Sequence, residues 1–332
     1  MRKIFISFTI FITIVCAILS FFCLFTSSND LNSENVTILL DWTPNVNHTG
    51  IYVAQKLGYF KDEKLNVKIE QPPQESSTAL VAAEKVEFAV AFQDFLAPAF
   101  TSDTPLPVKA VAAIAQHNSA GVICKKSAHI QTFSDLEFKN YSTFDNFIEL
   151  ALLKYCVKIN GGNFDNVNLI HTQADNIAAA LGTNIDAAWG YFGIESIIAS
   201  HFNIENNFIF FRDIDPILDY YTPILISNTN YTKNNPETVK KVLRALSKGY
   251  IFAAKHPKKA ASILTECVPE LNYKIILESQ KYLSTIYVNE DFKWGQIDPV
   301  RWDNFYDWLF DNHILNKKIP HGSTFTNAFL PD

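Results

Sequence analysis

The chain has 332 residues, 48% of them hydrophobic, which suits one large domain or two lobes of roughly 100–200 residues each. The net charge of -6 provides no basic stripe, so we expect no nucleic-acid partner. The aromatic content of 14% is high, and because 27 of these residues are Phe, most of it is expected in the core.

The N-terminal segment, residues 1–28, has the pattern of an export signal. Arg2 and Lys3 are followed by an uncharged apolar stretch from Ile4 to Phe25. This stretch of 22 residues is also long enough to span a bilayer. We therefore expect either a cleaved signal peptide or a retained N-terminal membrane anchor, and a location in the periplasm or cell envelope.

Cysteines and short motifs point away from a catalytic or metal centre. The part after the signal contains Cys124, Cys156 and Cys267, so at most one internal disulfide is possible, and the sequence does not decide whether it forms. No CxxC motif or His/Cys cluster has metal-ligand spacing. No Ser/His/Asp set has recognisable motif spacing, and no GxxxxGK phosphate loop is present. We expect no catalytic residue, no metal and no cofactor.

Strands and helices alternate in a first run, which predicts an α/β fold with parallel-rich sheets. The predicted strands are VTILLD (36–41), NVKIEQ (66–71), EFAVAF (87–92) and VKAVAAIA (108–115). The predicted helices are HTGIYVAQKLGYF (48–60) and SSTALVAAEK (76–85), the latter with Ser76 as its cap.

A second run repeats the alternation. Its predicted strands are VNLIHT (167–172), IDAAWGY (185–191), FIFF (208–211) and TPILISN (222–228). Its predicted helices are 146–161, 174–182, 192–202 and two amphipathic segments, 236–257 and 298–315. Extended crossings near 120–126 and 222–228 predict two lobes, 36–119 plus 228–332 and 120–227, joined by a hinge with a ligand cleft between them.

Polar and aromatic side chains gather at the carboxyl ends of four predicted strands, where open α/β sheets bind ligands. Taken strand by strand, the candidates are Trp42, Asn45 and His48; Gln93; His117 and Asn118; and Tyr191 and Glu195. Tyr191 and Glu195 are four residues apart and would share one face of a helix. Each residue type also has a structural alternative: the amides as caps, the histidines as buried groups, the aromatics as core and Glu195 as a surface acid.

These side-chain types favour recognition of a small flat ring. Aromatic side chains sandwich such a ring, and a heteroaromatic with an exocyclic amine matches the polar groups because Glu195 accepts from the amine while Asn45 donates to a ring nitrogen. Two other solutes remain open. A sulfonate would need basic groups, which these strand ends lack, and riboflavin would need a roomier pocket.

Four stretches resemble the thiamine-pyrimidine-precursor binding proteins of bacterial ABC importers, which are type II periplasmic binding proteins. They are LLDWTPNVNHTGIYVAQKLGYF, PPQESSTALVAAEKVEFAVAFQD, AVAAIAQHNSAG and AAWGYFGIE. The resemblance implies a monomeric binding protein that closes two lobes on an aminopyrimidine and delivers it to a membrane permease. It also implies that Trp42 and Tyr191 stack on the ring and that Asn45 and Glu195 bond its edge. The remaining candidates, His48, Gln93, His117 and Asn118, would line the cleft.

The chain departs from the family in two places, and the first of them separates it from the enzymatic members. The fungal relatives make the pyrimidine and carry a cysteine-rich iron motif, whereas the matching stretch DYYTPILISN (219–228) has no cysteine. The Gly-rich stretch that many relatives have before the second-lobe helix is replaced by NYSTFDNF, with Phe144 in its wall. A pyrimidine-synthesis enzyme is therefore the alternative, and a binding protein the leading hypothesis.

Overall fold

The computed structural model describes residues 33–72, 76–171, 177–291 and 293–331. The expected signal or anchor at residues 1–28 lies outside these ranges. Among the residues described, none of the helices combines the length and the apolar character needed to cross a membrane.

In the part of the chain that the structure describes, ten strands form two separate five-stranded sheets. They are β1 (Glu34–Leu39), β2 (Leu65–Glu70), β3 (Phe88–Ala91), β4 (Val108–Ala113), β5 (Ala120–Lys125), β6 (Asn140–Thr143), β7 (Asn168–His171), β8 (Ala187–Tyr191), β9 (Asn206–Phe210) and β10 (Ile224–Asn228). The first sheet has the order β2-β1-β3-β10-β4, and the second has the order β7-β6-β8-β5-β9.

The two sheets share one arrangement. In the first, β1 runs parallel to β2 and β3, while β10 is antiparallel to both of its neighbours. In the second, β6 runs parallel to β7 and β8, while β5 is antiparallel to both of its neighbours. In each sheet, the antiparallel strand in fourth position (β10 or β5) is therefore the first strand that the chain forms after it crosses from the other sheet. The predicted α/β class is confirmed, and both sheets are mixed.

Twelve α-helices cover the sheets. They are α1 (Thr49–Lys56), α2 (Tyr59–Asp62), α3 (Ser77–Ala82), α4 (Gln93–Thr101), α5 (Phe147–Ile159), α6 (Ile177–Leu181), α7 (Ile197–His201), α8 (Thr229–Asn234), α9 (Pro236–Lys255), α10 (Pro257–Cys267), α11 (Tyr273–Leu283) and α12 (Pro299–Asp311) among the described residues. The long amphipathic helix α9 begins at Pro236, where a fixed φ and a missing N–H are tolerated.

The segments predicted as crossings are themselves strands. Residues 120–125 form β5 and residues 224–228 form β10, so the chain passes between the sheets just before each of them, at 114–119 and 211–223. β10 is fully buried between β3 and β4. The exact lobe boundaries, 36–119 plus 228–332 and 120–227, stay a prediction.

Helix α4 and strand β6 are among the elements that were not predicted. Helix α4 contains Pro98, which lacks the N–H of a helical hydrogen bond, and this residue masked the helix in the sequence. Strand β6 has the polar sequence NYST, yet Tyr141 is fully buried between β7 and β8. In both cases tertiary packing outweighs local propensity.

Helices α1 and α9 pack very closely and fix the start of the first lobe. A Cβ on Gly249 would lie 2.1 Å from the carbonyl oxygen of Gly50, and a Cβ on Gly50 would lie 2.3 Å from the Tyr250 ring. Tyr250 in turn donates to the carbonyl of Asn47 at 2.8 Å, and Tyr287 donates to that of Val46 at 2.5 Å. These two hydrogen bonds hold the loop before α1 from beneath.

Candidate ligand-binding cleft

The loop of residues 41–48 follows β1 and is stabilised by its own side chains. Asn45 begins a short 3-10 turn, and its Oδ1 accepts from the N–H of Asn47 at 2.9 Å. The N–H of Asn45 donates to Nδ1 of His48 at 3.1 Å, which completes a reciprocal cap. The amide nitrogen of Asn45 donates to the carbonyl of Thr43 at 3.1 Å.

His48 is fully buried beneath this loop, and both of its ring nitrogens have partners. Because Nδ1 accepts from Asn45, the proton of a neutral ring resides on Nε2, which lies 2.5 Å from Oδ1 of Asp41. The ring therefore links the end of β1 to the cap of α1. The structure makes His48 a residue that positions the loop, and its role as a cleft contact stays a prediction.

Trp42 is an exposed residue of the loop. Its side chain is 56% exposed, although Pro44, Asn47 and His48 around it are buried. A large aromatic side chain left in water beside a rigid loop offers a face for stacking rather than packing in the core. The structural alternative of a core Trp42 does not hold.

Tyr191 and Glu195 meet at the carboxyl end of β8, but the predicted shared helical face is wrong, because Tyr191 is the last residue of the strand. Residues Phe192–Ser196 form a π-helical turn, and Oε2 of Glu195 folds back to accept from the N–H of Tyr191 at 2.6 Å. Burial raises the pKa of Glu195 to about 7, against the effect of this backbone hydrogen bond. Glu195 is therefore no ordinary surface acid.

The Tyr191 ring bridges the two sheets of the protein. It stacks on Phe92, at the end of β3, with ring centroids 5.8 Å apart and an interplanar angle of 18°. Burial raises the pKa of Tyr191 well above its usual value, and the charges of Asp94, Glu195 and Asp41 add to this effect. Three carboxyl groups from two lobes are thus within electrostatic reach of one phenol.

Gln93 is buried in the first turn of α4, and both its side chain and its backbone carbonyl make hydrogen bonds. Its Oε1 accepts from the N–H of Tyr221 at 2.8 Å, and its Nε2 donates to the carbonyl of Trp302 at 2.9 Å. Its backbone carbonyl accepts from the hydroxyl of Tyr306 at 2.8 Å. Gln93 thus ties α4 to the returning segment and to α12, and a ligand contact for it stays a prediction.

His117 and Asn118 lie in the first crossing, where they bond the second. Nδ1 of His117 lies 2.7 Å from Oδ2 of Asp219, and the N–H of Asn118 donates to Oδ1 of Asp219 at 2.7 Å. The Asn118 amide donates to the carbonyl of Leu218 at 2.9 Å, while Arg301 donates to Asp219 at 3.2 Å. Asn118 is fully buried and the His117 side chain is 52% exposed. These contacts make a polar hinge; cleft-lining roles for both residues stay predictions.

Asp94 is the residue at this site that sequence reasoning passed over. Only 2% of it is exposed, and burial raises its pKa to about 6. The signal was present, because the polar pair Gln93 and Asp94 follows the apolar strand β3 directly. Phe92 was likewise assigned to the strand rather than to the cleft.

Potential metal ligands do not cluster in the described ranges: no three or more His, Cys, Asp or Glu side chains are arranged there to hold an ion. Cys124, Cys156 and Cys267 are free thiols. The geometry therefore offers aromatic faces, amides and carboxyls, and these are groups of recognition chemistry.

Comparison with known proteins places this chain in a family. The family model described as NMT1/THI5 like matches residues 45–260, and the chain belongs to this family. The chain is 26% identical to the formylaminopyrimidine-binding protein of Halalkalibacterium halodurans, over 91% of this chain and 92% of that protein. It is 25% identical to the 4-amino-5-hydroxymethyl-2-methylpyrimidine phosphate synthase of Legionella pneumophila, over 90% of this chain and 93% of that one.

The fold is that of the type II periplasmic binding proteins. The alkanesulfonate-binding protein SsuA from Xanthomonas axonopodis pv. citri, bound to MOPS, superposes with a TM-score of 0.64 at 10% sequence identity. The match covers 88% of this chain and 98% of that one. This likeness establishes the shared two-sheet architecture and carries no information about the ligand.

Proposed function

We propose that this protein is an extracytoplasmic solute-binding protein that captures a thiamine pyrimidine precursor and delivers it to an ABC permease. The observation that carries the proposal is that the Tyr191 ring at the end of β8 stacks on Phe92 at the end of β3, with Glu195 bonded to the N–H of Tyr191, while Trp42 lies exposed after β1. An exposed indole, a phenol that touches both lobes and a partly buried carboxyl of raised pKa suit a flat ring with an N–H donor on its edge.

Each residue has a distinct role in the proposal. Trp42 and Tyr191 provide stacking faces, while Glu195 accepts from the exocyclic amine and the exposed part of Asn45 reads a ring nitrogen. His48 holds Asp41 and Asn45 in place. Gln93, His117 and Asn118 hold the helices and crossings that carry the cleft walls.

The similarity to a formylaminopyrimidine-binding protein supports the ligand class. The similarity to a phosphate synthase keeps an enzyme as the alternative. Two features favour binding. The cysteine-free stretch 219–228 forms the returning crossing and the buried strand β10, and the loop of residues 41–48 has no lysine to link a cofactor aldehyde. Iron analysis of purified protein, together with incubation with pyridoxal phosphate and histidine, tests the enzyme alternative directly; stoichiometric iron or pyrimidine formation would establish it.

The decisive experiment identifies the solute. Mass spectrometry of small molecules released from protein purified under native conditions should show an aminopyrimidine. Calorimetry should then show saturable binding of 4-amino-5-hydroxymethyl-2-methylpyrimidine or its formylaminomethyl analogue. Binding of a sulfonate or of riboflavin in preference to both would replace the proposed ligand.

Specificity of the site is tested with Glu195→Gln. A carboxylate only accepts hydrogen bonds, whereas an amide both donates and accepts, so this variant should narrow the preference for the 4-amino compound over its 4-oxo analogue by about tenfold. Glu205→Gln is the matched control, since the Glu205 side chain is 76% exposed and pairs only with Lys126 among the described cations. Unchanged discrimination in Glu195→Gln would remove Glu195 from the site.

A further inference from the structure

Asp94 is a polar group of the cleft wall that the proposed binding residues leave unexplained. It is the second residue of α4, directly beyond the carboxyl end of β3. Its Oδ2 accepts a hydrogen bond of 3.3 Å from the hydroxyl of Tyr220. Its Oδ1 is also buried, but it makes no hydrogen bond of good geometry with any residue that the structure describes.

The surroundings of Asp94 make this arrangement costly. Burial raises its pKa to about 6, although N–H groups of the first helical turn and Tyr220 oppose the rise. The described Lys, Arg and His side chains form no ion pair with it. A buried carboxylate oxygen without a donor is destabilising unless something supplies one.

A structural role explains only one of the two carboxylate oxygens of Asp94. The bond to Tyr220 ties α4 to the returning crossing, but it uses one oxygen, and its length of 3.3 Å is at the weak end for an O–H donor. The neighbouring Gln93 already ties the same two elements with two hydrogen bonds. An amide or hydroxyl at position 94 would therefore suffice for the hinge.

The position of Asp94 relative to Tyr191 indicates what the second oxygen does. The charges of Asp94 and Glu195 both reach the Tyr191 phenol, one from the first lobe and one from the second. Resting on the proposed function, we propose that Asp94 is a second ligand-reading carboxylate, and that the ligand carries N–H or O–H donors on two edges and no anionic group. A base such as an aminopyrimidine with a hydroxymethyl or formylaminomethyl arm has this chemistry.

The turn between β6 and α5 supports the exclusion of anions. Four of its backbone donors are already used: Asn146 Oδ1 accepts from Ile148 and Glu149, Glu149 Oε2 accepts from Phe144, and Thr143 Oγ1 accepts from Asp145. The same turn carries the carboxyls of Asp145 and Glu149. A phosphate at this turn would find these four donors occupied and two acidic groups in place.

Calorimetry with two probes, 4-amino-5-hydroxymethyl-2-methylpyrimidine and its phosphate ester, tests the proposal. Wild type should bind the free alcohol about a hundredfold or more tightly than the ester. Asp94→Asn should weaken binding of the alcohol by about tenfold or more, because the amide no longer accepts with both atoms. Asp103→Asn, a fully exposed acid just beyond the same helix, should stay within about threefold of wild type.

The variant Tyr220→Phe distinguishes recognition of the ligand by Asp94 from the structural hydrogen bond between Asp94 and Tyr220. It removes the donor to Oδ2 and leaves the Asp94 carboxylate in place, so affinity should fall by no more than about threefold. Equal losses in Tyr220→Phe and Asp94→Asn, or none in Asp94→Asn, would overturn the proposal. If Asp94→Asn does not fold, the comparison of the two probes on wild type tests the proposal. Equal affinity of wild type for the alcohol and for the ester would refute the proposal. If wild type binds no aminopyrimidine, the proposed function fails and this inference with it; binding that Asp94→Asn leaves intact overturns only the inference.

Discussion

Replacing Glu195 by Gln should stabilise the folded protein at high pH while it weakens ligand selection. Glu195 is partly buried at the end of β8, and burial raises its pKa from 4.5 to about 7. A carboxyl whose pKa is raised on folding binds its proton more tightly in the folded state. Its contribution to stability is fully present below pH 4.5 and is lost as the pH rises through about 7.

The size of the effect follows from the two pKa values. The difference between 4.5 and about 7 corresponds to about 3 kcal/mol between the protonated and ionised limits. Gln keeps an oxygen to accept from the N–H of Tyr191 but never ionises. Glu195→Gln and wild type should therefore have similar free energies of unfolding at pH 4.5, and the variant should be more stable by up to about 3 kcal/mol at pH 8.5.

Urea unfolding without ligand, followed by tryptophan fluorescence between pH 4.5 and 8.5, measures this difference. Asp94, whose pKa is also raised by burial, contributes a slope of the same sign, but it is present in both proteins and cancels in the comparison. Glu205→Gln should show no such pH-dependent gain, because Glu205 is exposed. Parallel stability curves for wild type and Glu195→Gln would refute the argument that Glu195 is held as a buried, ligand-ready carboxyl.

Three further outcomes are expected. Trp42→Ala should weaken aminopyrimidine binding by about tenfold in calorimetry with little change in thermal midpoint, since the indole is 56% exposed; Phe202→Ala, 61% exposed on the second lobe, should leave affinity unchanged. Gly249→Ala should lower stability by about 1–3 kcal/mol or more in urea unfolding, because its Cβ would lie 2.1 Å from a carbonyl oxygen; the matched Gly182→Ala, with 3.2 Å to its nearest atom, should cost less. Ligand should compact wild type in small-angle scattering, and Glu195→Gln should show less compaction; equal compaction in both would contradict the role of Glu195 in closure.

Local sequence patterns were sufficient for the class of fold and for the strand ends where the candidate cleft lies. Alternating apolar runs and amphipathic helices follow from a periodicity that each segment carries by itself. The sequence marked Trp42 as a candidate but left a core position open, and only the structure shows that its side chain is exposed. The closeness of Tyr191 and Glu195 was also predicted, although the structure achieves it with a π-helical turn that folds the carboxylate back onto the strand end.

Which polar groups are already satisfied is decided only by tertiary structure. Gln93 bonds Tyr221, 128 residues away, and Asn118 bonds Leu218, 100 residues away. These partners come together because β10 returns from the second half of the chain into the first sheet, a pairing that no local pattern specifies. The same assembly buries Asp94 and leaves its Oδ1 without a hydrogen bond from any described residue. A hydrogen bond depends on the positions of both its partners, and positions so distant in sequence are set only when the chain folds.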